Sequence, residues 1–373
     1  MKHKICYILP EYREDSATHF SYIGSLLNEA NKELETYLII EKGNYPRANF
    51  GCEKILLIDS SNILFRAIKL FSVFINARKN GYRDFYVHYS FLSAIIASLI
   101  ARPTGGRVFY WNCGEPWKYK RFFFREIFER LAYKLVTFLV TGTEKLGGEY
   151  TVHYGISAKK IKILPNWVDT ERFKNIPDKE LLREEFDIPE GKKVIFFAHH
   201  LSRRKGSRII LPVVRDLLAI RKDFYMIVAG SGPDEINLRD RVRGSSVISP
   251  YVRFVGAIPN REIQKYFGVA DIFFMPSQEE GFPRVILEAM SASVPIVGSD
   301  VGSVKEIVPP SLLPYIINSI EAKDFIQPLN DLLSLTPTEL AQIKSTLATK
   351  AKEYNTQTVA QKFTQLFTKG SPK

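Results

Sequence analysis

Residues 1–168 and 169–373 each alternate short apolar runs, rich in β-branched and aromatic residues, with longer segments of helical period. That repeated alternation restricts the fold more than any other feature. It predicts two α/β domains, each a parallel sheet with helices on both faces. In the first half, strands are expected at 5–9, 36–40, 54–58, 85–88, 108–111, 136–140 and 161–164, with helices at 17–31, 63–79 and 92–101. In the second half, strands are expected at 194–198, 225–229, 253–255, 272–275 and 296–298, with helices at 207–220, 262–268 and 283–291.

A chain of 373 residues suits two domains, and 45% hydrophobic content is enough for both cores. The boundary is expected just after 164–169, where a polar, Pro-containing segment runs on to Gly191. That divides the chain into 1–168, 169–355 and a C-terminal helix, 356–373, with Val359, Phe363, Leu366 and Phe367 on its apolar side.

Cys6, Cys52 and Cys113 are odd in number, far apart and without metal-ligand spacing, which fits a reducing cytoplasm. The apolar run 5–9 is too short for a signal segment, and the longest such run, 92–101, is about half of the ~20 residues a spanning helix needs. The net charge of +12 is uneven: +9 falls in 1–168 and +3 in 169–373. A basic first half implies an anionic partner such as a phosphorylated substrate or an anionic membrane surface. No stacking motif or zinc-finger spacing supports nucleic acid.

The chemistry concentrates at Glu280-Gly-Phe-Pro-Arg-Val-Ile-Leu-Glu288-Ala-Met. A strand at 272–275 leads into a polar loop, and Pro283 suits the first turn of the next helix. Glu280 is then expected just before the helix and Glu288 about two turns inside it. A helix N-terminus after a strand offers free N–H groups to an anion. The carboxylates would bind something neutral and hydroxyl-rich attached to that anion, which describes a sugar nucleotide. Two glutamates on an ordinary surface helix would satisfy the spacing alone.

The wider context separates these readings. FVGAIP at 254–259, ADIFFMPSQEEGFPRVILEAMSASVPIVGSDVG at 270–302 and Glu306 together resemble the donor domain of family 4 glycosyltransferases. That family carries a Glu–seven residues–Glu motif in an EGFG or EGFP context, an EAM helix and a Gly-Gly turn; here Gly302 is followed by Ser303. The resemblance extends more weakly over nearly the whole chain. It implies the GT-B fold, two Rossmann-like domains with parallel sheets facing a cleft, the last helix crossing back to the first domain. The linker Pro165-Asn166-Trp167-Val168-Asp169 is similar to the family's Pro-Asn-Gly-Val-Asp.

By the same resemblance Glu280 binds donor-sugar hydroxyls, Glu288 binds the ribose diol, and N–H groups near Gly281, Phe282 and Arg284 hold phosphate. The turn Gly230-Ser231-Gly232-Pro233 lines the nucleotide pocket, and Val255 and Ile258 belong to the loop that receives the base. A departing diphosphate requires positive charge, from a metal or from fixed groups. The chain has no Asp-x-Asp metal handle, so no metal is expected and the charge falls to Ser202-Arg203-Arg204-Lys205-Gly206. Lys205 matches the family's diphosphate-binding lysine. His199 and His200 stand where the family has Gly-Arg, which leaves Arg203, Arg204 or His200 to supply the missing charge.

The first domain matches less well. A family His after the first strand corresponds to His19, without the usual Gly-Gly; the family's later His-Gly appears as Cys113-Gly114, leaving Asn112 or Glu115 to replace its hydrogen bonds. In 117–134, Phe124, Ile127, Phe128, Leu131 and Leu135 share one helical stripe, expected to face the core. Phe122 is expected on the opposite side, where Trp117, Lys118, Lys120, Arg121 and Arg125 would form a membrane-facing cluster, or else the segment is an ordinary domain helix with one stray aromatic. These expectations describe a cytoplasmic, retaining, metal-independent glycosyltransferase, peripheral on the inner face of the membrane. Its donor is a nucleotide-diphosphate sugar and its acceptor a cell-envelope glycan or lipid-linked glycan. The alternatives are an epimerase or hydrolase of nucleotide sugars on the same fold, and a non-catalytic basic module binding acidic lipid or nucleic acid.

Overall fold

The computed structural model describes residues 2–13, 19–118 and 121–368. The chain forms two compact units, residues 1–166 with 356–373, and residues 167–355. The first boundary falls two residues before the expected one.

In the first unit, β1 (His3–Leu9), β2 (Leu34–Ile40), β3 (Lys54–Leu57), β4 (Asp84–His88), β5 (Arg107–Trp111), β6 (Phe138–Thr141) and β7 (Ile161–Ile163) pair in the order β3-β2-β1-β4-β5-β6-β7. Every pairing is parallel. Tyr7, Phe85 and Phe109 are fully buried on these strands, as expected where helices cover both faces. The helices are α1 (Ile23–Ala30), α2 (Ile63–Lys79), α3 (Phe91–Ala101), α4 (Phe123–Leu135) and α5 (Glu144–Tyr154). Right-handed crossovers from β3 through β7 put α2–α5 on one face and α1 on the other.

The second unit adds α6 (Thr170–Lys174), α7 (Lys179–Glu185), β8 (Lys193–Ala198), α8 (Ile210–Leu218), β9 (Phe224–Ala229), α9 (Glu235–Arg243), β10 (Val252–Gly256), α10 (Ile263–Val269), β11 (Ile272–Met275), α11 (Arg284–Ser291), β12 (Ile296–Ser299), α12 (Val304–Ile307), β13 (Ile316–Ile317), α13 (Ile326–Leu333) and α14 (Pro337–Ala351). Its sheet runs β10-β9-β8-β11-β12-β13. Both sheets are thus parallel, Rossmann-like α/β layers. The last helix, α15 (Thr356–Thr368), returns to the first unit. Its Phe363 meets Tyr86 with ring centroids 4.9 Å apart, and Arg107 donates to the Phe367 carbonyl at 2.8 Å.

Several local expectations shift. Before α8 come two 3-10 turns, Arg203–Lys205 and Ser207–Ile209, so the basic loop does not open an α-helix directly. Pro283 is extended at the N-cap of α11, which leaves Glu288 only about one turn inside. The expected helix from 17 begins as the 3-10 turn His19–Tyr22; residues 17 and 18 lie outside the described residues.

The largest correction concerns α4. Phe124, Ile127, Phe128 and Leu131 are exposed rather than buried, and Phe122 and Phe123 are exposed beside them. The inward face carries Glu129, Ala132 and Tyr133. Glu129 pairs with Arg121, the Tyr133 hydroxyl donates to Glu129 at 3.2 Å, and the Asn112 amide donates to Tyr133 at 3.1 Å. Buried polar groups seek partners, and with that face inward Glu129, Arg121, Tyr133 and Asn112 meet one another.

Candidate active site

The candidate site is built at the carboxyl ends of β8 and β11, where open parallel sheets take ligands. Glu280 lies in the loop between β11 and α11, and its side chain is 8% exposed. One carboxylate oxygen takes two contacts of 2.7 Å, from His199 Nε2 and Lys205 Nζ. Lys205 also donates to the Glu279 carbonyl at 3.2 Å. An ammonium has three protons, so one remains for a further acceptor. His199 Nδ1 accepts the His200 backbone N–H at 3.0 Å, which assigns the ring proton to Nε2 and makes His199 a donor to Glu280. Burial alone would raise the Glu280 carboxyl; the Lys205 charge and the hydrogen bonds from His199 and Lys205 outweigh it and hold the group well below the usual carboxylate range.

The loops close on one another without room for side chains. Gly302 has φ +55°, and a Cβ there would fall 2.1 Å from the Glu280 carbonyl oxygen. Ser303 N–H donates to the Gly281 carbonyl at 2.9 Å. Gly230, at φ +127°, presses against the His199 carbonyl, where a Cβ would fall at 1.9 Å. The Gly230–Pro233 turn therefore rests on the loop that carries His199 and Lys205, with Gly232 against Leu201. A Gln278 N–H donates to the Arg204 carbonyl at 2.8 Å and ties the basic loop to the acidic one.

Glu288 is buried on α11, with Arg284 Nη2 at 3.7 Å. Arg284 Nε donates to the Trp167 carbonyl at 3.3 Å. Arg172 on α6 lies close enough to feel Glu288 and Arg284; it donates to Gln264 at 3.1 Å and to the Asn260 side chain at 2.8 Å. Phe282 is buried and meets Tyr354 edge-on at 5.9 Å. Ile258 is buried and Val255 half-buried beyond β9.

The structure thus brings together Glu280, Lys205 and the Gly230 and Gly302 turns. It leaves His200 exposed, with His199 making the contact to Glu280 in its place. Arg203 and Arg204 are exposed, and Arg204 lies 3.7 Å from Glu279. His199 and Arg172 were missed by sequence reasoning. The His-His pair signalled that one of them faces the site, but not which; Arg172 carried no signal.

In the first unit, Asn112 and Cys113 are committed to packing. Asn112 Oδ1 accepts the Gly114 N–H at 3.0 Å while its Nδ2 donates to the Tyr133 hydroxyl. Cys113 is buried, and burial pushes its thiol up. Glu115 is buried, which raises its carboxyl, and Lys118 pairs with it at 2.8 Å. The membrane-facing cluster is corrected in part. The Arg121 side chain is buried against Glu129 and Tyr154, and Trp117 stacks on His153 at 4.7 Å, both drawn in by the aromatic cluster of α5. Phe122 and Arg125 are exposed; Lys120 and the His19 side chain lie outside the described residues. Among the described residues no His/Cys/Asp/Glu group is placed to hold a metal, and no helix is long and apolar enough to cross a membrane.

The stretch that carries this buried carboxylate and its lysine is similar in sequence to a known family. Residues 178–349 match the family model for glycosyl transferases group 1. Over 190 residues the chain is 30% identical to 2-deoxystreptamine glucosyltransferase of Streptomyces kanamyceticus, covering 50% of this chain and 49% of that protein. Over 243 residues it is 24% identical to the phosphatidylinositol N-acetylglucosaminyltransferase GPI3 subunit of Saccharomyces cerevisiae, covering 63% and 53%. The chain spans about half the length of the curated relatives it matches. Crystalline HepE of Anabaena, in complex with UDP and glucose, superposes with a TM-score of 0.79 over 99% of this chain and 100% of that one, at 15% identity, a likeness of fold. The family match and the relatives thus mark residues 178–349 as similar to glycosyl transferases group 1, and the solved structure shows a shared fold.

Proposed function

We propose that the chain is a retaining, metal-independent glycosyltransferase. It moves a sugar from a nucleoside-diphosphate sugar to a cell-envelope glycan or lipid-linked acceptor at an anionic membrane surface. The observation that carries the donor side is the Glu280 clamp in the loop that leads into α11, with Glu288 about one turn inside that helix. In this reading Glu288 holds the ribose diol, Glu280 the sugar hydroxyls, and the N-terminus of α11 with Lys205, Arg203 and Arg204 the diphosphate. Gly230, Gly232, Val255 and Ile258 line the nucleotide.

The anomeric carbon–phosphate oxygen bond breaks and the acceptor oxygen bonds the same face of that carbon. The departing phosphate takes the acceptor's proton, so no protein nucleophile is required. A carboxylate held far below its ordinary value is a poor nucleophile, which favours Glu280 as a binding group over a covalent one. HepE was crystallised with UDP and glucose, and the yeast relative is named for a phosphatidylinositol substrate; both support a sugar nucleotide and a lipid-borne acceptor by analogy.

The test is thermal unfolding with UDP, GDP, ADP and CMP sugars in EDTA. One donor should raise the midpoint selectively, because binding stabilises by mass action. No shift with any donor, or a shift that requires Mg²⁺, would overturn this reading. Donor turnover without any acceptor would point to a hydrolase or epimerase.

A further inference from the structure

The first unit turns an apolar surface outward. On α2, Leu64, Ile68 and Phe71 follow helical spacing and are 74%, 70% and 50% exposed. On α4, Phe123, Phe124 and Ile127 are 70%, 60% and 43% exposed. α3 packs between these two helices, and its Phe91 stacks with Phe128 of α4 at 6.4 Å, so the three helices form one continuous layer. Right-handed crossovers put them on the same side of the sheet. The helix N-termini lie at the carboxyl edge of that sheet, and Leu64, Phe123 and Phe124 sit there. Scattered apolar residues are ordinary on a protein surface; a patch spread over adjacent helices marks an interaction site.

Charge identifies the occupant. The three helices themselves hold seven Lys+Arg and two Asp+Glu, a net +5. Lys69, Arg125 and Lys134 are exposed, and among the described residues no acid pairs with them. A second copy would set these like charges against one another across a two-fold interface, which charge repulsion disfavours. An anionic lipid surface supplies both complements: headgroups for the cations and acyl chains for the apolar side chains.

We infer that α2, α3 and α4 of the first unit insert their apolar face into the interface of an anionic bilayer. This surface differs from the charged cluster around Trp117 and Arg121, both of which are packed inward. Insertion adds an apolar component that salt does not screen. It also brings the carboxyl edge of the first sheet to the bilayer, where a lipid-borne acceptor resides. The inference stands on exposure and charge and does not require the donor site to work as proposed.

The experiment is co-sedimentation of the full chain with phosphatidylcholine vesicles, with and without phosphatidylglycerol. Wild type should bind the anionic vesicles, and a fraction should remain bound at high salt. Replacing Phe123, Phe124 and Ile127 together by Ser should weaken binding at least about tenfold. Leu64→Ser with Ile68→Ser, on a different helix, should do the same and carries the test if the first variant does not fold by circular dichroism. Phe124→Cys gives a second readout: Cys6, Cys52 and Cys113 are buried, so an environment-sensitive dye reports on position 124, and its emission should shift to the blue with anionic vesicles. Three results would each overturn the inference: wild type left in the supernatant, serine variants that bind like wild type, or a lipid-independent dimer that the variants dissolve. Donor-induced thermal stabilisation reads the transferase reading separately, with no vesicles present.

Discussion

Lys205→Met tests the clamp on Glu280 most directly. Lys205 and Glu280 are buried, and the methionine keeps the volume while removing the cation. Removing one partner of a buried ion pair destabilises by roughly 3–5 kcal/mol, because the remaining charge is uncompensated. His199 still donates to the same oxygen, so the lower end, ~3 kcal/mol, is expected. The unit holding the pair spans residues 167–355. For that size each kcal/mol moves the midpoint about 2–4 °C, giving a fall of about 6–12 °C by calorimetry. Adding Glu280→Gln should recover part of the loss, since the stranded charge disappears, with a coupling of about 1–3 kcal/mol between the two changes. The effect should also depend on pH. Glu280 is depressed from an ordinary 4.5, so its contribution is complete above that value and is lost as pH falls through the folded-state value. In Lys205→Met the carboxyl titrates higher and is neutralised earlier. The gap between mutant and wild type should therefore be full at neutral pH and narrow below 4.5. A mutant melting within a degree of wild type, or a gap independent of pH, would refute the clamp.

Two further outcomes follow from the same geometry. Glu288→Gln keeps the shape beside Arg284 but removes the charge; calorimetric titration with the cognate nucleoside diphosphate should show a ten- to a hundredfold loss, about 1.5–3 kcal/mol, and unchanged affinity would remove Glu288 from the nucleotide site. Gly302→Ala adds a methyl where the Glu280 and Gly281 carbonyl oxygens lie, at a left-handed φ; it should lower stability by at least about 2 kcal/mol in thermal unfolding and weaken donor binding, whereas a neutral substitution would show that the loops can part.

Local pattern made much of this protein legible. Strand and helix periods along 5–9, 63–79 and 272–275 are properties of neighbouring residues, and the elements appear there with ends shifted by a few residues at most. The two-residue β13 was not legible, because a pair of isoleucines carries no period. Glu280 and Glu288 could be read because loop and helix start lie within a few residues of each other in sequence. Their partners could not. Lys205 and Glu280 are 75 positions apart, and which of His199 and His200 turns inward depends on how the loop after β8 seats against Gly230. The helical period of 123–135 determined that its apolar residues share one face, as they do. Only tertiary structure decided which face meets the sheet, because the cost of leaving Arg121, Glu129 and Tyr133 unsatisfied outweighs the gain from burying Phe124 and Ile127.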